Sequence, residues 1–157
     1  MKALVIGATG AVGKDLVQQL IDDSSVERVD IFVRREVRIP SAKLVAHVVD
    51  FDHPETWADQ LQSDVLFSCM GTTIKAAGTQ EAQWKVDYTY QYEAAKAAKV
   101  NGVPTYVLVS AIGLLRTWTP MPTEAVAAAM ISLAKSGRKG VEIIESQDIL
   151  KVHNSSI

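Results

Sequence analysis

Short β-branched apolar runs alternate along the chain with longer segments whose apolar residues recur every three or four positions. The runs Lys2–Ile6, Val29–Val33, Leu44–Val49, Val65–Cys69 and Thr105–Ser110 predict strands. Helices are predicted from about Ala11 to Ile21, near Glu55–Leu61 and over Thr79–Lys99, the last stopped by Asn101-Gly102. The strand segments do not alternate cleanly between apolar and polar. They are nearly solid apolar runs, as burial under helices on both faces requires. Strand, helix, strand repeated in this way gives an α/β fold with a doubly wound parallel sheet, and right-handed crossovers set its first five strands in the order 3-2-1-4-5.

Beyond Gly113 the texture changes. Leu114–Pro122, with Trp118, Pro120 and Pro122, predicts an irregular loop. Thr123 is then a suitable N-cap. Ala125, Val126, Ala129, Met130 and Leu133 form a helical stripe, and Lys135 with Gly137 is an ordinary helix exit. Val141–Glu145 predicts a last short strand, and Val152–Ile157 a loose tail.

Composition narrows the class. Of 157 residues, 48% are hydrophobic and 22% charged, so one domain with a core of its own is expected. The single cysteine, Cys69, excludes a disulfide framework and is expected to be a buried packing thiol. Sixteen basic residues against eighteen acidic leave a net charge of -2, with no basic run, so nucleic acid is not an expected partner. No apolar stretch approaches the roughly 18 residues of a membrane helix, and the N-terminus leads straight into a strand, so a cytoplasmic address is expected. His47, His53 and His153 have no Cys or carboxylate at ligand spacing, so no metal site is expected.

The strongest chemical signal lies where the first strand meets the first helix, in Gly7-Ala8-Thr9-Gly10-Ala11-Val12-Gly13. Glycines there permit a tight turn and a close approach of backbone to a pyrophosphate, and the free N–H groups of the helix start favour its charge. The spacing is G-x-x-G-x-x-G. A nucleoside-triphosphatase loop fails on two positions, because its first glycine would fall on Ala8 and its magnesium-holding hydroxyl on Asp15. A dinucleotide is therefore the expected ligand of a Rossmann-like fold.

The end of the second strand decides which dinucleotide. An NAD binder carries an acid there for the ribose hydroxyls, whereas this chain has Arg34 and Arg35. Guanidinium groups grip a 2′-phosphate through paired, charge-assisted hydrogen bonds, so NADP(H) is the expected cofactor.

These motifs are joined in order by Val49-Asp50-Phe51-Asp52, Ser68-Cys69-Met70-Gly71-Thr72-Thr73 with Ala77-Gly78, and Val107-Leu108-Val109-Ser110-Ala111-Ile112-Gly113. Over about residues 1–113 the chain resembles the atypical short-chain dehydrogenase/reductases, and within them the NAD(P)H-binding, Tat-interacting-protein-like branch. The resemblance implies that Asp50 and Phe51 border the adenine and that Met70, Gly71 and Thr72 line the ribose side. It also implies that Ser110 is a substrate-orienting catalytic serine, with a small carbonyl or alcohol as substrate.

The family delivers its proton from a Tyr-x-x-x-Lys on the helix after the fifth strand, the lysine lowering the tyrosine's pKa. No tyrosine follows Tyr106 here. The segment that would carry it, together with a sixth strand and a substrate loop, is expected to be missing at the junction Gly113-Leu114. Tyr92 and Lys96 reproduce the spacing, but in the preceding helix, roughly 18 Å from its cofactor-facing start at 1.5 Å per residue. Trp84 and Tyr88 in that helix are expected to pack. The resulting expectation is an NADP(H)-binding oxidoreductase-like domain, with a non-catalytic NADP(H) sensor as the alternative. A homodimer or a protein partner is compatible with either.

Overall fold

The computed structural model describes residues 1–110, 121–137, 140–145 and 148–149. Among them, the strands β1 (Lys2–Ile6), β2 (Arg28–Val33), β3 (Leu44–Val48), β4 (Val65–Ser68) and β5 (Thr105–Leu108) form one five-stranded parallel sheet. The order is β3-β2-β1-β4-β5, as the crossover rule predicts. Ile6 lies in register between Phe32 of β2 and Ser68 of β4, so the carboxyl ends of the central strands finish together. The chain leaves β1 toward β2 and later crosses back to β4 on the other side. That reversal opens a crevice at the ends of β1 and β4.

The helices are α1 (Ala11–Asp22), α2 (Ile74–Ala77), α3 (Gln80–Trp84), α4 (Tyr90–Val100) and α5 (Thr123–Lys135), with a π-helical turn at Lys85–Thr89 joining α3 to α4. Ala3 and Val5 of β1 face Leu16, Val17 and Leu20 of α1 and Ala127 and Met130 of α5. Leu4 and Ile6 face the other way, toward Trp57, Leu61 and the alanines Ala94 and Ala98 of α4. Successive strand residues thus feed two apolar layers, which is why the central runs are solid rather than alternating.

Local departures from the sequence expectation have physical causes. Solid burial holds for β1, β2 and β4, whereas β3 and β5 are edge strands that leave Val48 and Leu108 exposed. The helix expected near Glu55–Leu61 is instead two 3-10 turns, Pro54–Thr56 and Ala58–Gln60. Trp57 between them is fully buried, and its indole N–H donates to the Asp50 carbonyl at 2.8 Å. An additional short helix, α2, is started by the Thr73 hydroxyl accepting the Ala76 N–H and ended by Gly78 at φ +91°.

At α5 the N-cap is Pro122, one residue earlier than expected, and Thr123 is already helical. Val141–Glu145 joins no strand, and Val141 and Ile143 are almost wholly exposed. Apolar, β-branched composition marks a strand only when a neighbouring strand supplies the ladder. Trp84 and Tyr88 pack on each other with tilted rings 4.9 Å apart but stay on the outer face, because the inner face of the long helix is taken by Gln91, Ala94 and Ala98. The expected loop around Trp118, the Gly113-Leu114 junction and the tail Val152–Ile157 lie outside the described residues.

Candidate functional site

Backbone contacts shape the centre of the crevice. At Gly7 the chain turns with φ +78°, and a β-carbon there would stand 2.4 Å from the Cys69 carbonyl carbon and 2.5 Å from the Met70 nitrogen. At Gly13 a β-carbon would stand 2.1 Å from the Gly7 carbonyl oxygen. These two glycines let the β1 turn, the first turn of α1 and the end of β4 meet backbone to backbone.

Gly10 is the N-cap, its N–H donating to the Gly7 carbonyl at 3.0 Å. The first helical bond runs from the Lys14 N–H to the Gly10 carbonyl at 3.0 Å, so the N–H groups of Ala11, Val12 and Gly13 precede it. No side chain caps this end and no acid sits in its first turn. Donors and helix dipole there favour an anion, and no carboxylate of the first turn opposes one.

A cleft of about 180 Å³ opens over these strand ends. Gly7, Ala8, Thr9 and Gly10 form its floor; Phe32, Val33 and Arg34 close the β2 side and Phe51 the β3 side; Cys69, Met70 and Gly71 close the β4 side, and Val86 of the π-helical turn lies between. Of the residues singled out from sequence, Gly7, Thr9, Gly10, Arg34, Phe51, Met70 and Gly71 therefore meet in one place. Ala11, Val12, Gly13, Arg35, Asp50, Thr72 and Ser110 are not part of the lining. Arg34 and Arg35 are both exposed and, among the described residues, form no ion pair.

Asp50 acts on its neighbour. Its carboxylate accepts the Asp52 N–H at 2.9 Å and its carbonyl accepts the Trp57 indole N–H, which together turn Phe51 inward. Phe51 then meets Trp57 edge-on at 5.3 Å. Cys69 is buried with its sulfur 3.9 Å from that of Met130, and burial pushes its thiol up to about 12. It stays protonated and packs, as expected. Ser110 lies two residues past β5 and is exposed. Tyr92 sits on the outer face of α4, stacked on Tyr88 at 5.9 Å and away from the cleft lining.

Sequence reasoning missed the polar residues behind the walls. The buried Ser68 hydroxyl donates to Gln91 Oε1 at 2.8 Å, and Gln91 Nε2 donates to the carbonyls of Met70 at 3.2 Å and Asp87 at 2.8 Å. Asp87 Oδ1 accepts the Thr72 N–H at 2.8 Å. Across the cleft, Asp52 accepts from Lys85 at 2.6 Å and from the Tyr90 hydroxyl at 2.5 Å, and these bonds hold its carboxyl below the usual range. The only sequence signal was the four-residue spacing of Gln83, Asp87 and Gln91, which marks a helix face without naming what it touches.

A Rossmann-like dinucleotide-binding domain is the class that this sheet order, turn and cleft define. The fit is physical: the turn closes only where residues 7 and 13 lack side chains, and its residues Gly7, Ala8, Thr9 and Gly10 line the cleft. The chain matches the family described as NAD(P)H-binding over residues 7–149, and it belongs to that family.

Among curated proteins it is similar to the mitochondrial protein FMP52-1 of Scheffersomyces stipitis, 37% identical over 118 residues that cover 72% of this chain and 51% of the relative. It is also similar to mitochondrial FMP52 of Saccharomyces cerevisiae, 33% identical over 72% of this chain and 50% of that protein. The chain thus spans about half the length of the curated relatives it matches. Among solved structures, the oxidoreductase ylbE from Lactococcus lactis superposes with a TM-score of 0.59 at 27% identity, covering 80% of this chain and 56% of that one. An oxidoreductase of the short-chain dehydrogenase/reductase family from Burkholderia thailandensis gives 0.61 at 22% identity, over 86% and 61%, and shares the fold.

These findings establish an NAD(P)H-binding, Rossmann-like domain and do not divide NADP from NAD. They overturn the expectation of a cytoplasmic address, since the curated relatives are named mitochondrial proteins. Composition and an early strand report how a chain folds, whereas a compartment is an address read by receptors, so folding physics does not encode it. No helix among the described residues is long and apolar enough to cross a membrane.

Proposed function

We propose that the chain is the cofactor-binding part of an NADP(H)-dependent oxidoreductase of the atypical short-chain dehydrogenase/reductase type, in the Tat-interacting-protein-like branch. Its reaction is hydride transfer between NADP(H) and a small carbonyl or alcohol. One observation carries the cofactor preference: Arg34 lines the same cleft as Gly7, Thr9 and Gly10, at the strand end where a ribose 2′-substituent arrives.

In this reading the amides of Ala11, Val12 and Gly13 hold the diphosphate, and Arg34 with Arg35 neutralises the 2′-phosphate. Asp50 positions Phe51 against the adenine, and Met70, Gly71 and Thr72 face the second ribose. Ser110, beyond the carboxyl end of β5, orients the substrate. The nicotinamide, when bound, supplies or accepts the hydride. The mitochondrial names of the relatives support that compartment as the setting.

A second reading is supported by one feature: residues 107–157 contain no tyrosine to serve as proton donor. In that case the domain senses NADP(H) without turning it over.

Fluorescence titration of NADPH and NADH, on wild type and Arg34→Ala, tests the cofactor assignment. Charge-assisted bonds to the extra phosphate should favour NADPH by about tenfold, and Arg34→Ala should abolish that preference. An unchanged preference removes Arg34 from the reading. NADPH consumption with a panel of carbonyl compounds separates enzyme from sensor, because the sensor binds without turnover.

A further inference from the structure

The π-helical turn Lys85–Thr89 interrupts the long helix where it passes the cleft. Its backbone bond runs from the Tyr90 N–H to the Lys85 carbonyl, five residues back. An i to i+5 turn brings residues five apart onto one face, which an α-helix cannot do. Lys85 and Tyr90 therefore converge on a single carboxylate: Lys85 Nζ lies 2.6 Å and the Tyr90 hydroxyl 2.5 Å from Asp52 Oδ1. Asp52 directly follows Phe51, and the Tyr90 ring lies 5.6 Å from that of Phe51.

The same helix grips the opposite wall. Gln91 donates to the Met70 carbonyl, Asp87 accepts the Thr72 N–H at 2.8 Å, and Gln83 donates to the Thr72 carbonyl at 3.3 Å and to Asp87 Oδ2 at 3.1 Å. Gly71 therefore sits between two anchored neighbours. Val86, between the two sets of grips, reaches the cleft itself.

From this arrangement we infer that the π-helical turn is a two-sided clamp: Lys85 and Tyr90 position the adenine wall through Asp52, and Asp87 positions the nicotinamide-side wall through Thr72. The inference rests on the dinucleotide reading above, in which one half of the ligand lies over β2 and β3 and the other over β4 and β5. None of the three touches the ligand; they are positioning residues.

The two arms make different demands on ligand fragments. Adenosine 5′-diphosphate carries the adenine half alone, so it senses one wall only. Calorimetric titration of wild type, Asp87→Ala, Asp87→Asn and Lys85→Met with NADPH and with adenosine 5′-diphosphate separates them. Asp87→Ala should weaken NADPH about three- to tenfold, the effect of one lost hydrogen bond, and leave the diphosphate within about twofold. Asp87→Asn, which keeps an acceptor for the Thr72 N–H but gives up the one for Gln83, should recover most of the affinity lost in Asp87→Ala. Lys85→Met should weaken both ligands by the same factor.

A general loss of structure would weaken both ligands in every variant and would overturn the clamp. So would unchanged affinities in all variants of a wild type that binds. If wild type itself binds neither NADPH, NADH nor the diphosphate, the underlying dinucleotide reading fails instead.

Discussion

A methyl group at position 13 would press on the Gly7 carbonyl oxygen at 2.1 Å, and both are backbone positions fixed by a strand and a helix. Relief would have to move α1 against β1. Gly13→Ala should cost roughly 3 kcal/mol, the upper end of overpacking, because no flexible side chain can yield. Gly71 gives the contrast within the same cleft: a β-carbon there meets nothing within 4 Å and the backbone is not left-handed. Gly71→Ala should therefore stay within about 0.5 kcal/mol of wild type. Urea denaturation midpoints of the two variants check the pair, and equal losses would refute the close-contact account. The sequence showed that glycine recurs here at three-residue spacing. Which of the glycines are irreplaceable depended on backbone contacts, of Gly7 with Cys69 and Met70, more than fifty residues away, and of Gly13 with the Gly7 carbonyl.

Between elements, β2 and β3 are joined by a charged contact inside an otherwise apolar layer. Asp30 is 9% exposed and takes two bonds from Arg28, at 2.6 and 2.8 Å, while Nε2 of His47 on β3 lies 2.6 Å from its Oδ1, which Arg28 also bonds, and the His47 ring stacks on Phe32 at 4.7 Å. Burial alone would raise the Asp30 carboxyl, but the bonds from Arg28 and His47 outweigh it and hold the group below its usual range. A depressed carboxylate stabilises the fold fully above its unfolded pKa, near 4, and that contribution is lost as pH falls through the folded value. Asp30→Asn should therefore cost about 2 kcal/mol at pH 7, and its deficit should shrink below about pH 4. Chemical denaturation at both pH values measures this, and a deficit constant with pH would show that charge is not the cause. In the sequence, Asp30 is only a lone acid within an apolar strand segment. Its pairing required the β2–β3 register, which sets Phe32 beside His47.

For the molecule as a whole, a net charge of -2 supplies no general attraction for a polyanionic coenzyme, so binding must come from local donors and cations. Exposed guanidinium groups are screened by salt, whereas amides at a helix start are much less so. Raising ionic strength from about 0.02 M to about 0.3 M should thus weaken NADPH more than NADH, and the gap between them should close. Fluorescence titration across a salt series reads this directly. Parallel slopes for the two coenzymes would mean that no arginine meets the 2′-phosphate.

The amino-acid sequence by itself determined the strand order, the position of the cradle and the residues that can stand at the strand ends. Solid apolar runs, a glycine-rich turn and right-handed crossovers are local or near-local constraints. It misjudged Val141–Glu145 and did not show that Trp84 and Tyr88 would pack on each other at the surface, because strand pairing and helix facing are settled by neighbours distant in the chain. Tertiary structure alone decided that Asp87 would hold Thr72 and that Lys85 and Tyr90 would share Asp52. Those contacts depend on a π-helical register and on loops brought together by the sheet, and a side chain's partner is fixed only when both ends have a place in space.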